Sequence, residues 1–474
     1  MSHSPEPAHP AEKETSSRAV SETEASASNN EVKKESTADP PPMDFPEGGF
    51  AGWATVLGAF LVQFCGFGYS ASFGVYQAYY TTVYISNESA STVSWIGGVN
   101  ASMSIFIGLI SGRLFDKGYF YHMVWGGAVL DIVCLWLLCL AKPDSFYQVR
   151  CFFPSSFLTL VHLRSTQNFL AQGLGCGIAQ GMMYLPCIAV VSHYFKQRRA
   201  LAMTIVASGS SMGSIIQPIM LNNLLNTNGF KTAAVANAAL LSGILVIACA
   251  LMRTRLPPPP TLMPFKTAII KFSKDGAYVM GCLGLIIFSI GYYYPLFYIQ
   301  LDAEKHGLSS HINFYVLVIL NVFSFLGRLS PGFLANKVGV PNLITMGMFG
   351  CSVVMLGMIG AKSVGSFIVI AILYGYCAGT FISLANPLLA GFATDQMEVG
   401  ARMGIGFTLS GIGALVGGSI EGALLTSKYV WWKPAVFSGV FALAGVALMI
   451  IMLIMIHQRK KAKAAAAAAT SEKA

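Results

Sequence analysis

The 474-residue sequence predicts an all-α membrane protein with twelve transmembrane helices arranged as two six-helix, pseudo-symmetric halves. Three observations predict it. The chain is 54% hydrophobic and only 11% charged, where an ordinary soluble domain carries about 25% charged residues. Twelve apolar segments succeed one another, each near the roughly 20 residues that a bilayer core about 30 Å thick demands. They divide six and six around a short, basic, proline-rich connector.

Residues 1–46 are rich in Ser, Glu, Ala and Pro, a composition that cannot bury enough apolar surface to fold, so a disordered cytosolic tail is expected. The tail lacks the basic-then-apolar order of a secretory signal, which leaves insertion to the first span. The first half, 47–252, holds apolar segments at 53–80, 92–114, 120–141, 168–192, 199–225 and 232–252. The connector, 253–275, contains Pro257 to Pro260. The second half, 276–457, holds segments at 276–301, 311–335, 341–361, 364–392, 399–426 and 432–457, and a cytosolic tail occupies 458–474. An even count puts both tails on one side. Arg113, Lys117, the Lys196, Arg198 and Arg199 cluster, the connector, Lys337, Arg402 and the Arg459 to Lys463 run all fall there. They outnumber the bases opposite roughly three to one, which makes that face cytosolic. The sequon Asn87-Glu88-Ser89 falls in the first external loop, where glycosylation is topologically allowed.

Residues Val149 to Gln167 break the order, because Arg150, Pro154, His162 and Arg164 interrupt a mildly apolar stretch. If they crossed the membrane, the Lys196 to Arg199 cluster would face outside, so they are not expected to span. Two readings stay open, an external loop insertion and a retained intron. Val can be encoded with an initial GT and Gln can end in AG, and excision would join Tyr147-Gln148 directly to Asn168-Phe169.

The net charge of +9 comes from bases placed between apolar runs, which report orientation and predict no nucleic-acid partner. The ten cysteines are scattered, nearly all inside spans, as at Cys65, Cys134, Cys249 and Cys377, without metal-ligand spacing. No cofactor is expected. The absence of a Gly-x-x-x-x-Gly-Lys-Ser/Thr pattern leaves a gradient as the energy source, and no nucleophile motif or nucleotide fingerprint suggests an enzyme.

The halves share a loop pattern after their second helices, Gly112-Arg113-Leu114-Phe115-Asp116-Lys117-Gly118 and Gly332-Phe333-Leu334-Ala335-Asn336-Lys337-Val338-Gly339. This resembles the loop motif of the major facilitator superfamily. The resemblance implies a central site between halves that rock around it, and gating by Asp116, Arg113, Lys117, Asn336 and Lys337. Two further stretches, Glu47-Gly48-Gly49-Phe50-Ala51-Gly52-Trp53 and Tyr194 to Ala202 continuing to Ser208-Gly209-Ser210-Ser211-Met212-Gly213, resemble the first-helix and fifth-helix motifs of monocarboxylate-transporter-like permeases of fungi. Trp53 suits an interfacial anchor, and the small residues at 208–213 permit close helix packing.

Ionisable groups inside spans are costly and usually functional. Asp131, Arg328, Glu421 and, at a helix end, His193 qualify. Arg328 lies about eight residues before Asn336, roughly 12 Å inside its helix end, where a guanidinium suits a carboxylate. The resemblance implies that this arginine anchors a substrate anion, while pairing with backbone carbonyls is the structural alternative. Departures from the family pattern weigh against lactate-type proton symport: Ser324 stands where animal members carry an acid, and 53–80 contains no lysine. Asp131 and Glu421 are candidate coupling groups, with protons as the candidate ion and a basic partner expected for Glu421. Tyr69, Tyr76, Gln180, Tyr184, Tyr293, Tyr294, Tyr298, Asn321 and Asn386 join Arg328 as candidate substrate contacts. Gly404, Gly406, Gly411, Gly413, Gly417 and Gly418 let helices slide, and Pro186, Pro218 and Pro387 permit bends.

The expected function is secondary active transport of a small organic solute, a monocarboxylate or other carboxylated metabolite, by alternating access across the plasma membrane. A facilitator or exporter of a neutral or aromatic metabolite or vitamin is the alternative within transport, and a nutrient sensor that transports nothing is the alternative outside it.

Overall fold

The computed structural model describes residues 47–80, 90–140, 168–256, 264–394, 398–425 and 430–471. The N-terminal tail, the sequon, the segment 149–167 and Pro257 to Pro260 lie outside the described residues. Among these residues every regular element is helical.

Helix α1 runs Gly49–Ala71 and resumes past Ser72 as Phe73–Tyr79. It is followed by α2 Ala90–Asp116, α3 Phe120–Cys139 and α4 Phe169–His193, whose first turns are π-helical and whose last is 3₁₀. Helices α5 and α6 share one continuous stretch, Arg199–Leu251, broken at Gly229. In the second half α7 runs Gly276–Tyr292 and on through Tyr294–Lys305, α8 Ser310–Val338, α9 Val340–Gly357, α10 Val364–Gly391, α11 Val399–Leu425 and α12 Trp432–Ser471. The spans agree with the sequence segments to within a few residues, with three exceptions. The gap expected between the fifth and sixth spans is a single joint, because Gly229 takes φ 76° and ψ 177°, a conformation open to glycine alone. The tail from 458 is not separate from the last span, since α12 continues through its Ala- and Lys-rich sequence, good helix formers, to Ser471. The connector contains a short helix, Phe265–Ser273.

Backbone contact through glycine holds each half together, and it does so twice in the same way. Helix α5 lies on α1 so closely that a Cβ at Gly209 would stand 2.2 Å from the Phe60 carbonyl oxygen, and one at Gly213 2.4 Å from that of Phe64. In the second half a Cβ at Gly413 or Gly417 of α11 would stand 2.3 or 2.0 Å from the Ile286 or Ile290 carbonyl oxygen of α7. The second and fourth helices of each half repeat the device. A Cβ at Gly177 or Gly181 would stand 2.8 Å from the Asn100 or Ser104 carbonyl oxygen, and one at Gly375 or Gly379 2.3 or 2.2 Å from that of Leu320 or Ser324. In all four seams a glycine pair four residues apart faces carbonyls four residues apart, the small-xxx-small geometry that lets backbones touch in lipid.

The described contacts between the halves run from the centre toward the face that carries Arg199, Lys337, Arg402 and Arg459, called here the basic face. From that face inward, Arg199 donates to the Ala390 carbonyl at 3.3 Å, Gly332 packs on Leu201 and Thr204, Gly112 meets Gly400 and Gly404, and Gly411 meets Ile105. The Ser211 hydroxyl donates to that of Ser324 at 3.3 Å near the centre.

A leucine at Gly213 would drive side-chain atoms into the α1 backbone. Overpacking costs about 1–3 kcal/mol or more, so Gly213→Leu should lower the thermal unfolding midpoint in detergent markedly. Gly243→Ala, at a site with nothing within 4 Å, should leave that midpoint where it is or raise it slightly.

Candidate functional site

Arg328 sits where α8 meets α5, 8% exposed. Its Nη1 donates to the Ala207 carbonyl at 2.7 Å and to the Ser210 hydroxyl, both across the interface between halves. Its Nε has no partner. Tyr292, Tyr184 and Tyr293 stand around the charge. Nη1 therefore braces α8 to the fifth-helix motif, while among the described residues the Nε and Nη2 edge of the guanidinium keeps its three N–H donors for a ligand.

Tyr184 is the hinge of the aromatic part. Its ring packs between Phe67, at 4.6 Å between centroids, and Phe407, at 4.7 Å, so both halves touch it. Its hydroxyl accepts from Asn386 Nδ2 at 3.1 Å, leaving Asn386 Oδ1 unpaired. Gln180 accepts from Ser70 at 2.7 Å, and its Nε2 is buried without a partner, as is that of Gln63. These two amides and Tyr184 line a crevice of about 170 Å³ with Gly66, Phe67 and Met183, too narrow here for a water molecule. Gln63 escaped the sequence reading, although an amide inside an apolar span was its signal.

Of the ten predicted substrate contacts, the structure brings together Arg328, Tyr184, Tyr293, Asn386 and Gln180. The others are placed elsewhere. Tyr69 and Tyr76 are packed inside the first half, Tyr69 accepting from Gln172 at 2.9 Å and Tyr76 from Asn237 at 3.4 Å, because polar groups of neighbouring helices satisfy their hydroxyls. Tyr294 donates to the Trp431 carbonyl at 3.4 Å, and Tyr298 stacks beside it against Gly422, at the end of α7 away from the basic face. Asn321 turns back to its own helix, donating to the Leu317 carbonyl at 3.1 Å.

Asp131 is fully buried in α3 with neither carboxylate oxygen hydrogen-bonded, facing Cys176, Cys65 and Tyr69. Among the described residues Glu421 does not have the basic neighbour expected of it. One oxygen accepts from Ser438 at 3.0 Å and the other is unpaired. A third buried carboxylate, Asp302, pairs with His306 at 3.0 Å one helical turn on, a spacing visible in the sequence. His193 stacks on Phe115 at 5.3 Å with Nδ1 unpartnered, far from the centre.

At the basic face the two loop copies diverge. The Asp116 carboxylate accepts from the backbone N–H groups of Gly400 at 3.1 Å and Ala401 at 2.7 Å, capping α11 of the opposite half. A carboxylate there satisfies donors the helix cannot satisfy itself and opposes the positive end of its dipole. Asn336 and Lys337, predicted to act likewise, are exposed at the end of α8 and make no such bond among the described residues. Beside the clamp, Arg402 lies 2% exposed between Asp275 at 3.3 Å and Glu398 at 3.5 Å, over the Phe272 ring at 4.3 Å. Lys271 of the connector helix pairs with Glu398, and Arg459 of α12 with Asp275 at 2.7 Å. The sequence reading placed Arg402 only among face-marking bases, although Glu398 four residues before it was visible. Burial pushes both carboxyls up. At Asp275 the hydrogen bond and charge of Arg459, then the Tyr278 N–H and Arg402, outweigh it. At Glu398 Lys271, Thr394 and Arg402 do, so both end below their ordinary values of 3.8 and 4.5.

Residues 64–364 match the family profile described as Major Facilitator Superfamily. The sequence is 33% identical to the aspyridones efflux protein apdF of Emericella nidulans, covering 88% of this chain and 81% of that one. It is 32% identical to the fujikurins efflux protein of Gibberella fujikuroi, covering 85% and 83%. The fold is similar to that of the human organic anion transporter MFSD10, with a TM-score of 0.63 at 14% identity over 84% of this chain and 98% of that one.

Asp116→Ala should cost the seal about 1 kcal/mol, the worth of a cap. A cysteine placed at the buried Thr204 should then react about fivefold faster with an impermeant maleimide from the basic face, and an unchanged rate would remove the cap from the seal. Depressed carboxyl values mean that the Asp275 and Glu398 pairs contribute fully above 3.8 and 4.5 and lose that contribution as pH falls through their lower folded values. The thermal midpoint should drop over that acid range, and less steeply in Asp275→Asn.

Proposed function

Because this chain belongs to the Major Facilitator Superfamily, we propose that it exports an organic metabolite bearing an aromatic ring and hydrogen-bond acceptors, by rocking its two halves about the Tyr184 site. It is a multi-pass membrane transporter and not an enzyme. The observation that carries the proposal is the Tyr184 ring held between Phe67 of one half and Phe407 of the other, beside the unpartnered amides of Gln63 and Gln180. What is left for cargo is aromatic face from Tyr184, Phe67 and Phe407, unpaired amide donors from Gln63 and Gln180, and the Nε and Nη2 N–H groups of Arg328. Such a lining suits a flat molecule with carbonyl or phenolic oxygens. Relatives named for efflux support the direction.

With the basic face cytosolic, the seal closes the inner side, and Asp116 must leave α11 before cargo enters from the cytosol. The plasma membrane suits that direction. Asp131 is the proposed proton carrier, a carboxyl buried in α3 that water reaches only as the halves move. One observation favours a second reading, carriage of a carboxylated metabolite: the unpaired Arg328 Nε.

The test is transport into inside-out vesicles of labelled neutral aromatic compounds and of carboxylates, with and without a proton gradient. Aromatic stacking is worth about 0.5–1.5 kcal/mol, so Tyr184→Ala should raise the half-saturating concentration roughly three- to tenfold. Arg328→Gln should leave neutral export measurable, and Asp131→Asn should remove its response to the gradient. Transport confined to carboxylates and lost in Arg328→Gln would transfer the protein to the second reading.

A further inference from the structure

The second loop copy has no acid, and its lysine has no anion. Lys337 is exposed at the end of α8, and Val338 after it lines a groove of about 580 Å³, within the range of small-ligand sites. Val338 and Pro341 form one wall, and Leu453 and Ile456 of α12 form the other. Lys460 and Lys461 close its mouth, both exposed. Among the described residues none of these three lysines is ion-paired, whereas Arg459 between them is spent on Asp275.

The ordering along α12 is what identifies the occupant. From Leu453 to Lys461 the helix rises about 12 Å, and over that rise the groove passes from apolar to cationic. A free anion would need the charges alone. A molecule that needs both, in that order, at the edge of a membrane, is a phospholipid with an anionic head, since a polybasic helix end gains about 1 kcal/mol per Lys at an anionic lipid surface.

We propose that the groove between the α8–α9 turn and the end of α12 binds one anionic phospholipid, its phosphate at Lys460 and Lys461 and an acyl chain along Leu453 and Ile456. The lipid brings to the second loop copy the negative charge that Asp116 brings to the first. The site is separate from the Tyr184 centre and stands whatever the cargo is.

The full chain in a neutral detergent, titrated with short-chain phosphatidylserine and in parallel with phosphatidylcholine, tests this by thermal shift and by native mass spectrometry of bound lipid. Phosphatidylserine should bind with one high-affinity stoichiometric equivalent and raise the midpoint, while phosphatidylcholine should not. Replacing Lys460 and Lys461 by Ala should weaken binding about fivefold for each lysine removed, with Lys362→Ala, an exposed lysine at the other face, as the unaffected control. Asn342→Trp fills the groove without altering charge and should block binding in a chain whose unliganded midpoint is normal. Equal binding of the two lipids, binding intact in both the lysine and the tryptophan variants, or an equal shift from soluble glycerophosphoserine would each overturn the proposal.

Discussion

Two helices already immersed in lipid gain nothing from hiding apolar surface against each other, because the acyl chains are as apolar as the side chains they would replace. What holds this protein together is contact at backbone range, and the four glycine seams supply it. Gly209 and Gly213 fix α5 on α1, so that Ala207 and Ser210 reach Arg328 from a set position. Gly375 and Gly379 fix α10 on α8, which places Asn386 against Tyr184. The central residues are thus arranged by the seams behind them. Within each half two such seams act together, whereas between halves, among the described residues, a single glycine seam, Gly400 and Gly404 on the Gly112 and Gly108 carbonyls, is joined by side-chain hydrogen bonds.

That difference explains how one fold can be both rigid and mobile. Breaking a seam would forfeit dispersion contacts along a whole helix together with hydrogen bonds such as those of Gln217 to the Phe64 carbonyl and Thr380 to the Gly327 carbonyl. Parting the halves breaks a short series of bonds, those of Asp116, Arg199, Ser211, Arg328 and Tyr184, each of which water can replace. The ion network around Arg402 ties the connector helix and α12 to the start of α11, so the helix that Asp116 must grip is presented in one place.

The spans were legible because length and hydropathy decide them, and the twofold repeat because a loop pattern marked it. The pairing of helices was not. In α9 the residues Met346, Phe349 and Val353 face outward while Met348, Cys351 and Met355 are buried, and no periodic polarity distinguishes the two faces when lipid takes the place of water. The same blindness misplaced Tyr69 and Tyr76, whose partners Gln172 and Asn237 lie about a hundred or more residues away in sequence. Arg328 was legible as costly, and its cost is met as the structural alternative foresaw, by a carbonyl and a hydroxyl of another helix. Asp116 and Asn336 read as equivalent copies, yet only the charged one caps a helix.

The joint at Gly229 has a mechanical meaning. A connecting loop several residues long would absorb a shift of α5 as slack. A joint of one glycine, with a continuous helix on either side, has two torsions and almost no slack. Tilting α5 must therefore swing α6 as a lever, carrying motion at the interface out to the lipid-facing perimeter, where the resistance of the surrounding bilayer becomes part of the work of each cycle.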